Sequence, residues 1–337
     1  MQPQIGTILR SKSMRSAAFN TGPDFHLLDH IAPLAASLNI PLITTEELNT
    51  TLAKRYYPQV NLRYMPDLEF KLGEIAQEFD TLYECKYWSP HLKSMFSQLY
   101  NKEIELIFCP HGQSDKGYKA PLLAPYATQD KVLIYGQLMI EMLKELDVWN
   151  KLSNYKVVGN YRLQFYQKHK SFYDNLAEKE IFSKFASKKP ILLYAPTWRD
   201  ADQATSFFNH GAKVISQLPT NWNLIIKLHP LLEQRDPGQF YSIAALVDKK
   251  PNAQLVQEFP PIYPILSKTD VYLGDYSSVG YDFLSFARPM FFFSNENRSR
   301  LHNCGQTLDP TKDIYSQIDT KNHYKDAQKK LYNLAFS

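Results

Sequence analysis

The sequence predicts an α/β protein of two doubly wound domains, each a parallel sheet covered by helices on both faces. Three observations predict it. Short apolar runs of strand length alternate with amphipathic helical stretches, the pattern of parallel strands joined by crossover helices. The alternation breaks once, between Tyr161 and about Lys189, where the sequence is charged, helical in tendency and without an obvious strand. Several strands also end in polar, turn-rich loops, at the edge where open α/β sheets place ligands. The break sets the domains at 1–165 and 166–337. A chain of 337 residues, 44% hydrophobic, can give each its own core.

In the first domain, a short strand at Gly6 to Leu9 precedes the turn Thr21-Gly22-Pro23-Asp24. A helix follows with Leu27, Leu28, Ile31, Leu34, Ala35 and Leu38 on one stripe. Ile40 to Ile43 is the next strand. A helix from Glu46, an irregular aromatic stretch at Tyr56-Tyr57-Pro58 and a helix near Leu68 to Phe79 come next. Thr81 to Cys85 is a strand, Ser89 to Tyr100 a helix, and Ile104 to Cys109 an apolar strand that ends in Pro110-His111-Gly112-Gln113-Ser114-Asp115-Lys116-Gly117. Lys131 to Tyr135 and Tyr155 to Val158 are two further strands, with a helix between them to about Asp147.

The second domain repeats the alternation. Ile191 to Tyr194 is a strand ending in Ala195-Pro196-Thr197-Trp198-Arg199-Asp200, and Leu224 to Leu228 one ending in His229-Pro230. A helical stretch at Phe240 to Leu246, a strand at Gln254 to Val256 and a helix at Pro261 to Lys268 follow. From Asp270 to Phe293 come a strand at Val271 to Leu273, the turn Gly274-Asp275-Tyr276-Ser277-Ser278, a helix from Val279 to Ala287 stopped by Pro289, and a last apolar strand. The tail from about Lys312 is helical in character.

Composition narrows the function. The balance of 38 Lys+Arg against 34 Asp+Glu is too even for a nucleic-acid binder. The basic clusters Lys54-Arg55, Lys168-His169-Lys170 and Lys184 to Lys189 read as solvated faces. Cys85, Cys109 and Cys304 are far apart and outside any metal-ligand pattern, which fits a reducing compartment. The first thirty residues lack the apolar core of a signal peptide, and no apolar run approaches the ~18 residues of a membrane span. The expectation is a cytoplasmic protein, with peripheral contact to a membrane surface left open by its 22 Tyr and 20 Phe.

The candidate chemistry lies at the strand ends. Thr197 with Arg199, Lys227 with His229, and Asp275 with Ser277 and Ser278 fall on one edge of the second sheet if it is parallel. His111 and Lys116 fall on the matching edge of the first. Two such walls facing an inter-domain cleft would suit a nucleotide-linked substrate. Each residue has a plainer reading: a loop histidine, a strand terminator, a surface arginine, a snorkelling lysine, or helix caps at Ser277 and Ser278. Asp200-Ala201-Asp202 has the form of a metal-binding triplet but sits in a polar loop and reads as surface.

YAPTWRD (194–200), KLHP (227–230), DVYLGDYSSVGYDF (270–283) and PHGQSDKG (110–117) together resemble the CDP-glycerol glycerophosphotransferases of teichoic-acid-type polymer synthesis, over roughly residues 104–293. The resemblance implies a GT-B-like fold, with an N-terminal acceptor-side domain and a C-terminal donor-binding domain. It implies transfer of a glycerol phosphate unit from CDP-glycerol, or a related CDP-polyol, to a hydroxyl acceptor that can be lipid-linked, with no metal and no cofactor. It makes His111 the general base, with Lys116 at the family's lysine offset, and gives His229 the donor phosphates. Arg199, Ser277 and Ser278 would hold the diphosphate, with Thr197, Lys227 and Asp275 lining the same site. The sequence departs from the family at Gln113-Ser114-Asp115 and at Lys227, where the family's arginine would add a bidentate fork. Two rival readings stay open: a nucleotide-sugar glycosyltransferase or epimerase on the same architecture, and a nucleotide-binding module without catalysis.

Overall fold

The computed structural model describes residues 15–115, 122–198, 205–293 and 299–337. The strand expected at Gly6 to Leu9, and Lys116, Arg199 and the Asp200-Ala201-Asp202 triplet, lie outside them. The chain divides into two compact units: residues 1–113, 119–168 and 334–337 in the first, and 114–118 and 169–333 in the second.

In the first unit, β1 (Ser16–Asn20) leads through a 3-10 turn into α1 (Leu28–Leu38), then β2 (Leu42–Thr44), α2 (Glu47–Tyr56), β3 (Leu62–Tyr64) and α3 (Leu72–Glu78). There follow β4 (Thr81–Glu84), α4 (Pro90–Tyr100), β5 (Glu105–Phe108), β6 (Lys131–Ile134), α5 (Gln137–Glu145), β7 (Tyr155–Val157) and α6 (Tyr161–Lys168). The strands pair in the order β3-β2-β1-β4-β5-β6-β7, all parallel. Helix ends follow local chemistry. Ser89 caps α4 with Pro90 at its first turn, and Asn39 and Asn101 end α1 and α4 in the left-handed conformation that asparagine tolerates.

The second unit begins with α7 (Lys170–Glu180) and β8 (Ile191–Ala195), followed by α8 (Ser206–Ser216), β9 (Asn223–Lys227), α9 (Leu231–Arg235), α10 (Pro237–Ala244) and β10 (Ala253–Val256). Then come α11 (Tyr263–Lys268), β11 (Val271–Gly274), α12 (Ser278–Phe283), β12 (Met290–Phe293), β13 (Gln306–Leu308) and α13 (Lys325–Phe336). The strand order is β10-β9-β8-β11-β12-β13, again all parallel. The runs ILLYA, NLII and VYL are continuous rather than alternating because both sheet faces are covered, and all their side chains but the half-buried Ile191 are buried.

Both sheets thus grow outward from their first strand and then reverse to its other side, so each has a switch point: between β1 and β4 in one, and between β8 and β11 in the other. Loops leaving those neighbouring strands diverge and open a crevice at the carboxyl edge. Each unit is therefore an α/β doubly wound fold of the expected class. Three short strands escaped the hydrophobic pattern: β1, β3 and β13. β3 is half-exposed and β13 ends in the buried Leu308 after exposed Gln306.

Candidate functional site

At the second unit's switch point, Asp275 follows β11 directly and is buried. One of its carboxylate oxygens, Oδ2, accepts the backbone N–H of Thr197 at 2.9 Å and that of Ser206 at 3.0 Å. Thr197 and Ser206 bracket the loop that carries Arg199, so Asp275 ties both ends of that loop to the end of β11. Tyr194, on β8, adds a further bond to this loop, its hydroxyl 2.8 Å from Ser206 Oγ.

The turn after Asp275 is shaped by Tyr272. Its hydroxyl lies 3.3 Å from the Ala195 carbonyl and 3.2 Å from Ser277 Oγ. A carbonyl can only accept, so the tyrosine proton goes to Ala195 and the Ser277 proton goes to Tyr272. The phenol needs room on both sides. A Cβ on Gly274 would stand 2.4 Å from this oxygen, and one on Gly280 would stand 3.2 Å from it and 2.5 Å from Leu301. Ser277 has the backbone of an N-cap for α12, yet its side chain makes no capping bond. The plain reading of Ser277 as a side-chain cap therefore does not describe it. Ser278 is the less buried of the pair.

Beyond β9, the Nδ1 of His229 accepts the Leu231 N–H at 3.2 Å, and its ring lies 5.9 Å from the Trp198 ring. An accepting Nδ1 carries a lone pair, so the neutral ring's proton is on Nε2 and that nitrogen is a donor. Lys227 reaches sideways, with Nζ 2.9 Å from the Gln257 carbonyl.

In the first unit, His111 follows β5, and its Nδ1 lies 3.3 Å from the Cys85 carbonyl oxygen beyond β4. The carbonyl must accept, so here the proton sits on Nδ1 and Nε2 carries the lone pair. The two histidines therefore hold opposite tautomers. His26 and His30 stand edge-on to His111, with ring centroids 6.4 and 6.3 Å away. Gly112 has φ +106°, a conformation that side-chain-bearing residues rarely adopt, and it turns the chain directly after the histidine. Glu84 at the end of β4 is buried, its carboxyl pushed up by burial against the lowering effect of the Thr21 hydroxyl and N–H bonded to it. Asp115, in the segment that departs from the family pattern, accepts the Arg300 N–H at 2.7 Å within the second unit.

The structure thus brings Thr197, Asp275 and Ser277 together at one switch point, places Lys227 at the end of the neighbouring strand β9 and His229 just beyond it, and sets His111 at the carboxyl edge of the other sheet. Sequence reasoning missed Tyr272, Tyr135 and His30, which order these loops. Tyr135 directly follows strand β6 and so carried the same strand-end signal as Thr197. His30 lay inside an apolar helical stripe and gave none. Among the described residues no cluster of His, Cys, Asp and Glu has the arrangement of a metal site, and no helix is long and apolar enough to cross a membrane.

Comparison with known proteins bears on the family and the fold. The model of the family described as CDP-Glycerol:Poly(glycerophosphate) glycerophosphotransferase matches residues 167–324. A teichoic acid glycerol-phosphate primase of Bacillus spizizenii is 25% identical over 52% of this chain and 44% of its own. A teichoic acid poly(glycerol phosphate) polymerase of Bacillus subtilis is 31% identical over 31% of this chain and 14% of its own. The chain thus spans less than half the length of these relatives in the aligned regions. Among solved structures, the wall teichoic acid polymerase TagF superposes with a TM-score of 0.66 at 14% identity, covering 96% of this chain and 85% of that one. The UDP-GlcNAc 2-epimerase of Neisseria meningitidis superposes with a TM-score of 0.59 at 13% identity, covering 96% and 95%. At these identities the structural matches show the shared GT-B-like fold.

Proposed function

We propose, from the match of residues 167–324 to the model of the CDP-glycerol:poly(glycerophosphate) glycerophosphotransferase family, that this protein transfers a glycerol phosphate unit from CDP-glycerol or a related CDP-polyol to an acceptor hydroxyl in cell-envelope polymer synthesis. The acceptor oxygen attacks the phosphorus that bears the glycerol. The bond from that phosphorus to CMP breaks, CMP leaves, and the hydroxyl proton passes to a base.

The observation that carries the reading is the pair of opposite tautomers. Nε2 of His111 has the lone pair a general base needs, and Nε2 of His229 has the proton a phosphate-binding donor needs. Exchanged, neither would serve. Ser278 and Arg199 would add donors to the diphosphate, and Lys116, Lys227 and Thr197 would complete the lining. Asp275 would serve the donor indirectly, by holding the loop that carries Arg199. A carboxylate facing the diphosphate would repel it, and this one is occupied by two backbone N–H groups.

A lipid-linked acceptor would bring the protein to the inner face of the cytoplasmic membrane, which release from membranes by salt would detect. The central test is CMP release from CDP-glycerol in the presence of acceptor, with UDP-GlcNAc as the contrasting donor. His111→Ala should lower kcat by about 100-fold or more with CDP binding retained. His229→Ala should weaken CDP-glycerol binding as well. Full turnover by His111→Ala would remove the base assignment, and turnover of UDP-GlcNAc alone would favour a nucleotide-sugar enzyme. Product length separates a single addition from polymerisation.

A further inference from the structure

Three hydrogen bonds meet on the Tyr135 hydroxyl, behind His111 in the first unit. The phenol lies 2.8 Å from the Pro110 carbonyl, receives the Gly112 N–H at 3.2 Å, and lies 3.3 Å from Nδ1 of His30. Proton bookkeeping fixes the directions. A phenol has one proton and a carbonyl can only accept, so that proton goes to Pro110. The amide of Gly112 can only donate. The contact with His30 must then run from Nδ1–H to the phenol oxygen, which sets the tautomer of His30.

His30 is suited to a fixed, uncharged role. It is buried, and burial holds its imidazole well below the ordinary histidine range, with Arg162, His111 and His26 acting in the same direction. Its own backbone carbonyl accepts the Tyr161 hydroxyl at 3.0 Å, and the Tyr161 ring stacks on Tyr135 with centroids 6.1 Å apart and planes 2° from parallel. The three groups form a closed set in the interior.

The peptide groups on both sides of His111 are therefore tied to one oxygen: the carbonyl just before it and the N–H just after it. We propose that Tyr135 and His30 are positioning residues for His111, the phenol pinning the two flanking peptides and His30 pinning the phenol, so that the Nε2 lone pair is held on the acceptor hydroxyl. Nothing in the family match at residues 167–324 covers these residues. The inference rests on the reading of His111 as the base, and the experiment separates the two.

Tyr135→Phe keeps the ring and its stack on Tyr161 and removes all three bonds. The expected result is a kcat for CMP release about 10- to 100-fold lower, as small misplacements of reacting groups produce, with KM for CDP-glycerol unchanged. At position 30, His30→Asn supplies an amide N–H where Nδ1–H stood and should retain most of kcat. His30→Leu should fall as far as Tyr135→Phe. Wild-type kcat in Tyr135→Phe alongside an impaired His111→Ala overturns this proposal and leaves the base in place. Full activity in His111→Ala overturns the base itself. Equal losses in His30→Asn and His30→Leu, with KM raised, would show packing rather than positioning. Should Tyr135→Phe fail to fold, the Asn and Leu pair at position 30 decides.

Discussion

Ser277 and Ser278 are neighbours with different duties. Ser277 gives its proton to Tyr272 and sits inward, so a phosphate oxygen would find only lone pairs there. Ser278 opens the helix and is more accessible. If the pair serves the donor, Ser278→Ala should weaken CDP-glycerol binding by about 10- to 100-fold, the worth of one hydrogen bond to a charged group. Ser277→Ala should cost less affinity and more stability, because it leaves a buried phenol short of one partner. Calorimetric titration of both variants checks this, and equal losses of affinity would refute the division. The motif itself was legible in the sequence, because Gly274 to Gly280 combines a strand end, a turn and a helix start within seven residues. The division of labour was not. It depends on which carbonyl Tyr272 reaches, a fact of tertiary structure. The same holds for His111, whose tautomer is set by Cys85, distant in sequence, whereas that of His229 is set locally by Leu231, two residues away.

A proline inside a helix explains how α1 is joined to α6. Pro33 has no N–H for the carbonyl of Asp29 four residues earlier, and that buried acceptor would be costly if left unpaired. Nε of Arg162 takes it at 2.9 Å, while the guanidinium also pairs with the Asp29 carboxylate, which receives the Tyr57 hydroxyl at 3.0 Å. Both charged side chains are almost fully buried, so removing one strands the other. Arg162→Ala should destabilise the protein by about 3–5 kcal/mol in urea unfolding. A loss below about 1 kcal/mol, the value of an exposed pair, would refute the account. The helix was readable from its apolar stripe and Pro33 from the letter, but the partner is more than a hundred residues away. β1 was missed for a different reason. SAAFN is five residues of mostly small side chains, too short and too weakly apolar to stand out, though it is the interior strand from which its sheet grows in both directions.

Across the whole molecule, the alternation of strand and helix was enough to read two parallel sheets, because crossover connections leave each strand no other pairing sense. What it could not read is where the last residues go. Helix α13 begins among residues of the second unit, yet Leu334–Ser337 belong to the first. There Gln137 donates its N–H to the Ser337 carbonyl at 3.1 Å, and Phe336 is buried edge-on against Tyr135, 5.9 Å between centroids. Gly136 lies beneath them, where a Cβ would stand 2.7 Å from the Ala335 carbonyl oxygen. Phe336→Ala should therefore cost about 3–5 kcal/mol, the usual loss for a buried aromatic. Hydrogen exchange tells where the loss falls. Faster exchange across β6 and α5, with β8 and β11 still protected, is expected if each unit keeps its own core and this segment completes the first. Uniform loss of protection in both sheets would mean that the chain unfolds as one cooperative body, and the assignment of this segment to one unit's stability would fail. Because Phe336 packs on the ring whose hydroxyl holds the peptides around His111, the same variant should also lower kcat while leaving CDP affinity unchanged.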